Sequence, residues 1–163
     1  MTYRHTSGRI GLQRIASNSA TKQHELGLIC QADDETYGSG EFIYLQGLAA
    51  TAVGSWVTFN ADDNTTALLA ANAIGPVAVA MAATVANEYG WYQIFGKAVG
   101  KALASYADNG LVFATATAGS IDDAVVAGDR VKLAKGASAV DTPSTGLAEF
   151  EIQRPFMDDG TAA

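Results

Sequence analysis

From residue 26 to residue 153 the chain is cut again and again by clusters of Gly, Asp and Asn, and the runs between the cuts are short and β-prone. Residues 41–46 (EFIYLQ) close on Gly47, residues 52–60 (AVGSWVTFN) close on Asp62-Asp63-Asn64, and residues 91–95 (WYQIF) close on Gly96. Residues 26–31, 76–84, 111–117, 129–134 and 148–153 read the same way, the last with Ala148, Phe150 and Ile152 alternating before Pro155. Runs of this length leave no room for long helices. About eight or nine short strands joined by turn-forming residues predict a mainly β fold, a small barrel or sandwich. In residues 52–60 the alternation puts Trp56, Thr58 and Asn60 on one face and Val57 and Phe59 on the other.

Two segments are ambiguous. Residues 65–73 fit a short helix or an irregular strand equally well. Residues 98–106 have helical propensity, but Gly96 and Gly100 would each cost a helix about 1 kcal/mol, so a strand is expected. Residues 67–86 form a stretch without charge of the length a membrane span needs. It is mostly Ala, which is nearly neutral on insertion, and it holds Asn72, Gly75 and Pro76, so no span is expected.

Charge divides the chain sharply. Residues 1–24 carry Arg4, Arg9, Arg14 and Lys22 and no carboxylate, a charge of +4. The rest holds the other six Lys/Arg and all 17 Asp/Glu, a charge of −11 that brings the total to −7. The head has few large apolar residues, so it is expected to be an extended arm, disordered in solution and ordering on a partner. Residues 25–163 are then the folded domain. Ile10, Leu12 and Ile15 are spaced like docking points, and with Arg4, Arg9 and Arg14 they form the predicted contact set. Removing residues 1–24 is expected to leave the thermal transition of the body largely intact.

Residue chemistry argues against catalysis. Residues 96–102 (GKAVGKA) have three residues between the glycines where a phosphate loop needs four, and Ala102 stands where a magnesium-binding hydroxyl belongs. His5 and His24 sit far apart in the arm, with no Cys at ligand spacing, and the acidic turns 33–35 and 62–64 lack the spaced ligands of a calcium loop. A general base needs a rigid scaffold, and both histidines fall in the expected mobile segment. Cys30, the single cysteine, lies in an apolar strand and reads as a small buried hydrophobe. No cofactor, metal or disulfide is expected, and no secretory leader is recognised. Four basic charges on an acidic body make a thin footprint for nucleic acid, so an acidic or polar protein surface is the better partner.

The succession GEFIYLQG (40–47), GSWVTF (54–59), PVAVA (76–80) and YGWYQIFG (89–96), with TAGSI (117–121) and AGDRV (127–131) after it, resembles the head decoration, or cement, proteins of tailed bacteriophages. The resemblance covers roughly residues 38–135 and is carried by strand-and-glycine rhythm. It implies a non-enzymatic virion protein on the outer surface of the capsid, commonly a homotrimer, that binds the major capsid protein and stabilises the shell, without direct contact to nucleic acid or membrane. Trp56, Trp91, Tyr92 and Phe95 are then expected in the core or at the oligomer interface. Two other classes fit the composition: a tail-tube or fibre-associated β domain, and a carbohydrate-binding or hydrolytic β-barrel using aromatics and acidic loops.

Overall fold

A computed structural model describes residues 2–6, 11–47 and 51–158, and every named element in it is a β-strand. In chain order these are β1 (Arg4–His5), β2 (Asn18–Ser19), β3 (Ile29–Asp34), β4 (Gly38–Gln46), β5 (Trp56–Phe59), β6 (Thr66–Leu68), β7 (Ile74–Ala80), β8 (Tyr89–Lys101), β9 (Leu111–Ala114), β10 (Ile121–Asp122), β11 (Arg130–Gly136) and β12 (Leu147–Asp158). The mainly β expectation holds. Eight of the twelve (β3, β4, β5, β7, β8, β9, β11 and β12) have four or more residues, and the rest are pieces of two or three. The ambiguous segment 65–73 contributes the short strand β6; of residues 98–106, expected as a strand, 98–101 continue β8 and the chain turns at 104–105.

Every pairing between named strands is antiparallel, in the order β1-β3-β4-β8-β7-β12-β11-β9-β10, with β2 added to β8 and the β5–β6 pair added to β7. Among the described residues β1 and β10 do not pair, so the sheet is open and branched.

Strand β8 is its spine. Its first half lies between β4 and β7, with Tyr92 opposite both Ile43 and Ala80. Its second half runs along β12, from Phe95 opposite Gln153 to Lys101 opposite Leu147. The exchange of β7 for β12 falls between Gln93 and Phe95, just before Gly96, whose φ of 100° lies in the left-handed region. A Cβ there would sit 2.5 Å from the Ser39 carbonyl oxygen, so only glycine lets β8 turn this corner against β4.

Strand β12 makes a matching adjustment. It pairs with β8 as far as Gln153 and with β7 from Phe156 onward, while its register with β11 shifts between Lys132 and Ala134. Arg154 and Leu133 both take positive φ at this double irregularity, 54° and 59°. Pro155 is tolerated inside a long strand because it falls where neither neighbour's ladder is regular.

The sheet buries both faces, which explains why its central strands read as apolar runs. On one face Trp56, Val77, Val79, Val131, Phe150 and Ile152 form the main core. Trp56 meets Phe150 edge-to-face at 5.0 Å, and Tyr106 closes on Phe150 from the other side at 5.4 Å. Gly100 lies beneath the Trp56 indole; a Cβ there would be 2.5 Å from Nε1. A glycine at this position therefore admits a large ring at close approach. On the opposite face Leu45, Val57, Ala78, Tyr92 and Ile94 gather, with Phe59 partly buried beside them. Trp56 and Val57 thus point to opposite sides of β5, as the alternation predicted.

Candidate functional site

Residues 2–6 and 11–24 of the arm are folded onto the body, and this corrects the expectation of a segment disordered until bound. Strand β1 pairs with β3 (Arg4 opposite Asp33, His5 opposite Ala32), and β2 pairs with β8 (Asn18 opposite Gly90). Between them Ile15 is only 2% exposed, packed with Cys30, Ala32, Phe42, Tyr44, Met81 and Trp91. Tyr3 and Leu12 are partly buried against the same cluster. Ile15 is therefore a core residue of its own chain and not a contact offered to a partner. Burying one Ile side chain stabilises a fold by roughly 1.5–3 kcal/mol, a gain realised before any partner arrives. Arg4 and Arg14 are exposed, and Arg4 meets Glu35 at 3.3 Å in an ion pair open to water. Arg9 and Ile10 lie outside the described residues.

What fixes the arm is a residue that sequence reasoning passed over. The backbone oxygen of Gln13 accepts from Trp91 Nε1 at 2.9 Å and from His5 Nε2 at 2.9 Å. Its backbone N–H donates to His24 Nε2 at 3.0 Å. Its side-chain oxygen accepts from the Tyr44 hydroxyl at 3.0 Å, and its side-chain nitrogen donates to the Ser17 carbonyl at 2.8 Å. Around this hub, His24 stands 5.0 Å from Tyr44 and 5.6 Å from Trp91, ring to ring, and Tyr44 stands 5.0 Å from Trp91. Nothing in the local pattern of a lone Gln announces such a role, because its partners lie from 4 to 78 residues away and the aromatic ones, Tyr44 and Trp91, are 31 and 78 residues distant. The one available signal was the pair of histidines in a segment without a single carboxylate.

Asp34 anchors the front of the arm. Burial alone would raise its carboxyl, but N–H donors from Thr36, Thr2 and Tyr37 outweigh that and hold it below the ordinary carboxylate range.

The aromatic residues divide. Trp56, Trp91 and Tyr92 are buried core residues, whereas Phe95 is 43% exposed on the sheet surface. A second exposed apolar group lies at the β7–β12 junction. Register places Ile74 and Pro76 of β7 on the same side as Phe156 of β12, and Ile74 and Phe156 are both exposed. A cleft of about 280 Å³ opens there, lined by Ile29, Ile43, Phe59, Ile94, Phe156 and Arg154 among others. Arg154 pairs with Glu41 at 2.8 Å at the surface. Leu133, on the bulge of β11, is 62% exposed and held at φ 59°. A leucine in that backbone region carries about 1–2 kcal/mol of strain, and at this exposure little burial offsets it.

Among the described residues no group of three or more His, Cys, Asp or Glu side chains is placed to hold a metal ion. No described helix is long and apolar enough to cross a membrane. No family model, no curated protein sequence and no solved structure matches this chain.

Proposed function

We propose that this protein is a capsid decoration protein of a tailed bacteriophage: a non-enzymatic virion component that sits on the outer surface of the head, binds the major capsid protein and acts as a homotrimer. The single observation that carries the reading beyond the strand-and-glycine rhythm is Leu133. A strained, largely exposed leucine costs the isolated fold, and such a residue is maintained where a partner covers it. Phe156 and Ile74 are exposed on the neighbouring strands, so several apolar contacts are open around one junction of the sheet. Many such weak contacts, multiplied by threefold symmetry and by the repeat of a shell, suffice for firm attachment without a deep pocket. With Ile15 engaged internally, Arg4 and Arg14 are the members of the contact set that stand exposed among the described residues of the arm.

Co-sedimentation with empty, expanded phage heads tests the reading, with stoichiometric capture at threefold-related sites as the expected result. A protein that stays in the supernatant and sediments alone as a monomer would sink it. Leu133→Asn sharpens the test. Asn tolerates positive φ, so the variant should be as stable as the parent or more stable by roughly 0.5–1 kcal/mol. Its capture by heads should nevertheless weaken. A variant captured as tightly as the parent removes Leu133 from the contact.

A further inference from the structure

The bond between Gln13 and His24 has a direction that sets a condition on the whole strap. A backbone N–H can only donate, so His24 Nε2 must be the unprotonated nitrogen of the ring. His5 is in the opposite state: the Gln13 carbonyl can only accept, so His5 Nε2 carries its proton. One peptide segment is thus gripped by two imidazoles of opposite tautomer, with Trp91 donating beside them. Only one of the two grips depends on a lone pair. Protonated His24 has no acceptor on either nitrogen, and it would present an N–H to the N–H of Gln13.

We propose that residues 11–23 form a strap on the β4–β8 face, latched at Gln13 by neutral His24 where that ring rests against Tyr44 and Trp91, and that protonation of His24 releases the strap. The groups facing His24 reinforce this. His5 on β1 is a second imidazole nearby, and it disfavours a positive charge on His24. Tyr44 on β4 meets the ring edge-to-face and stays a neutral phenol, because burial pushes its ionisation up. Trp91 on β8 is uncharged, with Tyr89 stacked behind Tyr44. Lys22 on the strap and Glu25 just beyond it pair with each other at 3.2 Å. No carboxylate among these groups is positioned to compensate a histidinium at the latch.

Burial and the neighbouring His5 accordingly hold His24 below its ordinary value of 6.5. The sign follows directly. Docking favours the neutral ring, so the latch is fully engaged above pH 6.5, where docked and undocked straps are both neutral. As pH falls below that value the undocked strap takes up a proton that the docked one resists, and the docked state loses ground. The strap's departure would uncover Tyr44, Trp91 and Phe42, so the device couples acidity to exposure of an aromatic face.

Hydrogen exchange followed by NMR on the full-length protein tests this. Between pH 7.5 and pH 5.5 the Gln13 amide and the Trp91 indole N–H should lose protection by roughly fivefold or more after correction for intrinsic exchange, the size of one neutral hydrogen bond. Amides of β7 and β12 should keep theirs. In His24→Asn the side-chain carbonyl can still accept and cannot titrate, so the pH response should vanish. Unchanged protection in the parent, or an equal loss in His24→Asn, overturns the proposal. Should that variant fail to dock its strap, the ring signals of His24 in the parent decide: Nδ1–H at pH 7.5, protonating in step with the loss at Gln13. A His24 ring that protonates while Gln13 stays protected refutes the latch.

Discussion

Deleting residues 1–24 should lower the stability of the remaining chain by on the order of 5 kcal/mol, enough to leave it partly unfolded or aggregating at ordinary temperatures. The sum starts with Ile15, whose removal withdraws roughly 1.5–3 kcal/mol of burial. Tyr3 and Leu12 are partly buried on the same cluster, so their loss adds to it. Loss of Gln13 leaves the indole N–H of Trp91 and the hydroxyl of Tyr44 without their acceptors, at about 1 kcal/mol or more each. The surface left behind consists of Phe42, Tyr44, Cys30, Met81 and Trp91, an aromatic patch of the kind that drives association. Denaturant unfolding of the truncated and full-length proteins, read by Trp fluorescence, gives the comparison. A midpoint within about 1 kcal/mol of the parent would mean that the arm is an appendage after all.

Among the described glycines, Gly96→Ala should be the most damaging added methyl, costing about 3 kcal/mol or more. Two penalties combine. A φ of 100° is open to glycine and strained for every L side chain, and the new Cβ would meet the Ser39 carbonyl oxygen at 2.5 Å. That oxygen belongs to β4, which is itself paired along β3 and β8, so it has no free direction of retreat. For a chain of this length a loss of that size corresponds to a fall in thermal midpoint of roughly 6–12 °C. Gly38→Ala is the control, because φ is positive there too, at 72°, but open space surrounds the Cβ position. Equal effects at the two sites would show that backbone strain alone, without the clash, accounts for Gly96.

Much of the fold was legible locally. Alternation at Trp56–Phe59 within 52–60 and across 148–153, the absence of a helix at 98–106, and the Gly/Asp/Asn punctuation all depend on near neighbours, and each appears in the structure, with the strands at 52–60 and 98–106 shorter than expected. Cys30 as a buried small residue was legible for the same reason. The arm was misread because its composition was weighed in isolation. A segment with few apolar residues cannot build a core, but it can complete one whose other half is supplied from β3, β4 and β8. The contact set split accordingly, with Ile15 turned inward, Arg4 and Arg14 outward, and Leu12 between the two.

By itself, then, the sequence determined that this protein is built of short strands, where most of them break, and which residues alternate toward a core. These follow from backbone propensity and side-chain period, which act within a few residues. The tertiary structure alone decided that β8 exchanges β7 for β12 just before Gly96, that Leu133 stands strained at the surface, and that Gln13 ties the basic arm between two histidines and a tryptophan. Those outcomes depend on which distant groups meet, through pairing register and hydrogen-bond direction, and no local pattern encodes them.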